Sequence, residues 1–244
     1  METDTYWREL AAKDDGPSAL ARWACRLNAV ALVAEVASAA ARDVPPSAAA
    51  TSALTVAAVV AFLAVVAVAY AISAAMGAVP GFTPDDYRLS AAMDFAPATE
   101  IATVGVALAL DTLVFAEWRR PAPSRGARVA LGALTAQALV TVAATPWHAR
   151  RGEHALATLA FVLLLAAYLG VLLAAVPPTL SAAAAEGAYA LGAAVGACVL
   201  YLGFGLSVWL AQGRFAHVSA AEILLIALFS ALELVMGCNI SPRS

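Results

Sequence analysis

The chain has 244 residues, 63% of them hydrophobic and 13% charged, with a mean hydropathy of +0.82. Soluble domains run nearer half apolar and a quarter charged, so this composition excludes an ordinary water-soluble fold and makes lipid the solvent. A formal net charge of −3 argues against a nucleic-acid partner.

The start, Met1 to Ser18, is polar and acidic, which is unlike a cleavable signal peptide. The first hydrophobic segment is then expected to act as the insertion signal. Apolar runs of about 20 residues, each enough to cross a hydrocarbon core of about 30 Å, recur from there to the end. They predict helices over 22–41, 51–77, 92–117, 127–146, 153–175, 186–211 and 218–239.

Proline and glycine punctuate the runs. Val44-Pro45-Pro46 ends the first, and Pro80-Gly81-Phe82-Thr83-Pro84 separates the second from the third. Arg119-Arg120-Pro121-Ala122-Pro123 follows the third, and Pro177-Pro178 follows the fifth. Trp118, Trp147 and Trp209 fall near predicted ends, where aromatic rings favour the interface. Gly187, Gly192, Gly196, Gly203 and Gly205 mark the sixth run as one that permits close helix packing.

The expected organisation is a polar tail over 1–21, a seven-helix transmembrane domain over 22–239 and a short tail over 240–244. This is an all-α integral membrane protein, multi-pass in the cell membrane, with the lipid bilayer as its first partner. Arginine and lysine divide almost evenly between the two sides, so the positive-inside rule leaves the orientation open.

Six acidic residues fall inside or near the predicted spans: Glu35, Asp94, Glu100, Asp111, Glu222 and Glu233. Charges are costly in lipid, so such residues face a bundle interior or a wet cavity unless a helix end brings them to the headgroups. Glu222 and Asp111 suit the helix-end reading; Glu35 and Glu233 do not. Glu100 and Asp111 are eleven residues apart, as are Glu222 and Glu233, so each pair shares one helical face about three turns apart. Phe229 lies on the same stripe as Glu222 and Glu233. A column of carboxylates is what a proton path needs, which makes Glu35, Glu100 and Glu233 proton-path candidates for a small proton-coupled transporter or channel.

Other chemistries find no support. Cys25, Cys198 and Cys238 are isolated, without metal-type spacing. His148, His154 and His217 fall in loops or at helix ends, which leaves no pair for haem within the bundle. There is no HExxH and no glycine-rich phosphate loop. Ser207, in Gly205-Leu206-Ser207-Val208, lacks the second glycine and the mid-helix histidine of an intramembrane serine protease. Neither catalysis nor a metal is expected.

Three stretches resemble the microbial rhodopsins, and their heliorhodopsin branch more than the proton pumps. Met93-Asp94-Phe95-Ala96-Pro97-Ala98-Thr99 falls where that branch carries an acidic counterion followed by an aromatic residue. Tyr201-Leu202-Gly203-Phe204-Gly205-Leu206-Ser207-Val208-Trp209-Leu210 resembles the aromatic segment that walls one side of the retinal pocket. Ala227-Leu228-Phe229-Ser230-Ala231-Leu232 is similar to the segment in which the retinal lysine precedes Ser-Ala-Leu. Weaker echoes are Arg26-Leu27-Asn28 and Gln137.

The lysine position then falls on Phe229. A pump-like register, with Arg88 and Pro97 on the third helix, puts Leu234 there instead. Neither supplies an amine, and the chain's single lysine is Lys13, in the tail. The resemblance therefore implies a seven-helix bundle without a Schiff base, with no covalent cofactor and no pump activity. It further implies a sensory, ligand-binding or accessory role, a homodimer, and a pocket of Asp94, Phe95, Gln137, Tyr201, Phe204 and Phe229. Such a pocket would suit an apolar small molecule, including retinal or another polyene held without a covalent bond.

Overall fold

The computed structural model describes residues 19–41, 46–75, 97–120, 125–146, 150–174, 176, 180–212 and 218–239. They form seven helices: α1 (Ala19–Ala41), α2 (Ala48–Ala75), α3 (Ala98–Arg119), α4 (Arg125–Ala144), α5 (Arg151–Ala174), α6 (Ala182–Gln212) and α7 (Val218–Cys238). Alanine and leucine dominate these segments and have the highest helix propensity. A helix is also the one open segment that satisfies every backbone group in lipid. Ser47 and Ser181 cap α2 and α6, each Oγ accepting from a backbone N–H three residues on, at 3.2 Å in both cases.

The described part of the third helix begins at Ala98, directly after Pro97, and residues 92–96 of its expected span lie outside the described residues. Six of the helices, α2 to α7, are long and apolar enough to cross a membrane; α1, with Arg22, Arg26 and Glu35 along it, is not among those six.

Packing explains why α1 differs. Helix α2 packs on α3, α3 on α4, α4 on α5, α5 on α6, α6 on α7, and α7 returns to α2. That is a closed ring of six helices. Helix α1 lies outside it, against α3 and α4. Small residues let the ring close: a methyl on Gly105 would overlap Val65 of α2, and one on Gly237 would overlap Thr55 of α2. Ser52 Oγ also donates to the carbonyl of Gly237 at 2.8 Å. The largest packed cluster joins α5, α6 and α7 through Leu165, Leu172, Val195, Leu232 and Met236.

Where α1 meets α4 the seam is polar and neutral. Asn28 Nδ2 donates to Gln137 Oε1 at 2.8 Å, and Gln137 Nε2 donates to the Cys25 carbonyl at 3.3 Å. Asp94 and Phe95 lie outside the described residues.

Candidate functional site

Successive helices run in opposite directions, so the end of α3, the start of α4 and the ends of α5 and α7 meet at one end of the ring. Local chemistry at the end of α3 sets the first pieces. Arg120 precedes Pro121, and a residue before proline is pushed out of the helical region; its φ of −70° and ψ of 124° are extended. Its N–H still bonds the Glu117 carbonyl at 3.2 Å, and its Nη2 reaches back to Glu117 Oε1 at 2.7 Å.

The same Nη2 meets Glu233 Oε2 of α7 at 3.2 Å. Arg128, in the first turn of α4, places Nε 3.3 Å from Glu117 Oε2. Tyr168 of α5 donates its hydroxyl to Glu233 Oε1 at 3.0 Å. Two guanidinium groups, two carboxylates and a phenol thus tie four helices together. All are buried: Arg120, Arg128 and Glu233 are 0% exposed, Glu117 1% and Tyr168 2%.

The formal charges of this cluster cancel. Burying each ion costs several kcal/mol, which mutual attraction offsets only when the geometry is good. The pairing is uneven, however. Arg120 Nε and Nη1, all three Arg128 side-chain nitrogens and both Glu117 oxygens have no hydrogen-bond partner among the described residues, so Glu117 is held by ion-pair contact alone.

A cavity of about 220 Å³ runs inside the ring. All six ring helices line it, and α1 contributes nothing. Glu117, Tyr168 and Glu233 bound it at one end, and His154 and Glu222 at the other, with Phe62, Phe161 and Phe229 among the apolar side chains between. His154 Nδ1 is held by the Thr145 carbonyl at 2.6 Å. The eleven residues from Glu222 to Glu233 span ~16 Å at a rise of ~1.5 Å each.

The expected site residues that fall within the described segments divide between the cavity and other parts of the bundle. Glu222, Phe229 and Glu233 line the cavity together, as their shared stripe requires. Phe229 also packs against Tyr168, ring centroids 6.3 Å apart. Tyr201 and Phe204 do not line it; they point outward, 40% and 66% exposed. The reason is helical offset: Leu202, Gly205 and Leu206 occupy the inward face, and one residue turns a side chain by about 100°.

Gln137 faces α1 instead of the cavity. Glu35 and Glu100 are half-buried and do not line it either. Glu35 Oε2 and Asp111 Oδ1 are buried without a hydrogen-bond partner, close enough across the α1–α3 contact to interact. Among the described residues no group of His, Cys, Asp or Glu could hold a metal ion.

Sequence reading missed Glu117, Arg120, Arg128 and Tyr168 as site residues. One signal was present: Glu117 and Arg120 sit three apart at the end of an apolar run, the spacing of helical ion pairs. Tyr168 is the lone tyrosine in the apolar stretch Leu159–Ala174.

Comparison with known proteins returns no match: no family model, no curated protein and no solved structure corresponds to the chain.

Proposed function

We propose that the chain is a small multi-pass membrane transporter or channel whose path follows the ring axis. The cluster of Glu117, Arg120, Arg128, Tyr168 and Glu233 closes one end of that path. The observation that carries this reading is the juxtaposition itself: a lengthwise cavity lined by all six ring helices ends on a fully buried ionic cluster. Intramembrane charges are rare, and where they occur they mark ion and proton pathways by default. Arg120 is shared between Glu117 and Glu233, so movement of α7 relative to α3 would exchange one pairing for the other.

The test is flux across proteoliposomes holding the purified protein and a pH-sensitive dye, under a potassium-diffusion potential. Proton entry above that of empty vesicles is expected, with Glu233→Gln cutting it at least tenfold and Glu35→Gln leaving it within twofold. Equal flux with and without protein would remove this reading.

A second reading follows from one observation. Phe229, at the position the rhodopsin resemblance assigns to the retinal lysine, lines the cavity. On this reading the chain is a heliorhodopsin-like ligand-binding or accessory protein, a homodimer as that resemblance implies. The cavity volume weighs against a long polyene, since pockets for such ligands run ~300–1,000 Å³. A Phe229→Lys variant incubated with retinal decides it: a red-shifted band bleached by hydroxylamine supports the resemblance, and a spectrum of free retinal ends it.

A further inference from the structure

Between its two polar ends the cavity is lined mostly by alanine, valine, leucine and phenylalanine, with Phe62, Phe161 and Phe229 as aromatic walls. An apolar cavity of about 150 Å³ stays dry and takes up a molecule the size of benzene. At about 220 Å³ this one has room for a single ring with a short substituent.

The hydroxyl groups of the lining differ in what they leave free. Tyr168 donates to Glu233, Thr135 Oγ1 to the Leu131 carbonyl and Thr158 Oγ1 to the His154 carbonyl. Ser230 of α7 lines the cavity too and is only 6% exposed, yet its hydroxyl has no hydrogen-bond partner among the described residues. Its oxygen is also not sealed off by neighbouring atoms, as the guanidinium nitrogens of the cluster are. A hydroxyl carries one donor and two acceptor sites, and leaving it buried and unpaired is costly. The α2–α7 contact fixes where it sits. Gly237 abuts Thr55, and these two helices run in opposite directions. Seven residues back along α7 and seven onward along α2 therefore bring Ser230 level with Phe62.

From this lining we infer that the cavity binds a small neutral phenol, its ring among Phe62, Phe161 and Phe229 and its hydroxyl bonded to Ser230. Aromatic rings gain from edge-to-face and offset contacts beyond the area they bury. A phenol keeps its proton at neutral pH, as a tyrosine side chain does, so it brings no charge into the cavity. The inference rests on neither functional reading, because binding is measurable without a gradient and without retinal.

Three probes test it: 4-ethylphenol, ethylbenzene, which lacks the hydroxyl, and 1-octanol, which lacks the ring. Their affinities for the purified protein in detergent are measured by titration calorimetry and by the shift in thermal unfolding midpoint, with protein-free micelles as the blank for partition. 4-Ethylphenol is expected to bind roughly threefold to tenfold more tightly than ethylbenzene, the gain from one buried hydrogen bond. It should also bind several-fold more tightly than octanol. Ser230→Ala should bring 4-ethylphenol down to the ethylbenzene level and leave ethylbenzene unchanged. Ala109→Phe, which fills the cavity from α3, should abolish binding of both aromatic probes. Each variant's own unfolding midpoint reports whether it folds, and the milder Ser230→Ala decides if the filled variant does not.

Equal binding of 4-ethylphenol and ethylbenzene would mean that the hydroxyl is not read, and the inference falls. Octanol binding most tightly would make the cavity a site for lipid-like chains and overturn it equally. So would phenol selectivity that survives Ser230→Ala, or no binding by any of the three. Phenol-selective binding without flux would remove the transport reading and leave this one, whereas proton flux without phenol selectivity would do the reverse.

Discussion

Two buried polar regions of this molecule are built on different principles. The seam between α1 and α4 is neutral: Asn28, Gln137 and Cys25 are joined through amide and carbonyl groups, Asn28 Oδ1 alone of these side-chain atoms being buried without a partner among the described residues, and no part of it borders the cavity. The cluster at the end of the ring is ionic, leaves guanidinium nitrogens without acceptors among the described residues, and borders the cavity through three of its five members. Neutral hydrogen bonds fasten a helix to a bundle cheaply. Charges in the same environment cost far more than fastening requires. That excess is why the cluster, and not the seam, is the candidate site.

Substitutions sharpen the contrast. The largest loss is expected for Arg120→Met, which strands both Glu117 and Glu233 beside a single remaining guanidinium. Breaking a buried pair this way costs about 3–5 kcal/mol, read by denaturant unfolding in mixed micelles. Tyr168→Phe removes the hydroxyl donor to Glu233 and keeps the ring, so a cost of about 1.5–3 kcal/mol is expected, with altered proton flux in the same vesicle assay.

Asn28→Ala removes the amide that bridges to Gln137. Hydrogen bonds between membrane helices average about 0.6 kcal/mol, so this variant should lose little stability and keep its flux. Were Asn28→Ala to suppress flux as strongly as Tyr168→Phe, the division between fastening seam and working cluster would be wrong.

The rhodopsin resemblance shows how local patterns and tertiary facts part company. Tyr201 and Phe204 read as pocket walls because they belong to an aromatic-rich segment, yet they turn outward while Leu202, Gly205 and Leu206 line the interior. In lipid both faces of a helix are apolar, so the inside is not marked by hydrophobicity as it is in a soluble bundle. Glu222, Phe229 and Glu233 fared better because periodicity alone puts them on one face, and a face carrying two carboxylates turns away from lipid.

Composition and periodicity alone determined that the described residues are helical, that six of the helices are long and apolar enough to cross a membrane, and roughly where each described helix starts and stops. Those properties follow from propensity and from the requirement that backbone groups in lipid be satisfied within each segment. Only the tertiary structure decided that six helices close a ring with α1 outside it, and that Glu117, Arg120, Arg128, Tyr168 and Glu233 form one cluster. Tyr168 and Glu233 stand 65 positions apart, and Arg120 and Glu233 113. No spacing rule reaches that far. Their meeting depends on which helices are neighbours, and that is set by packing at small residues such as Gly105 and Gly237.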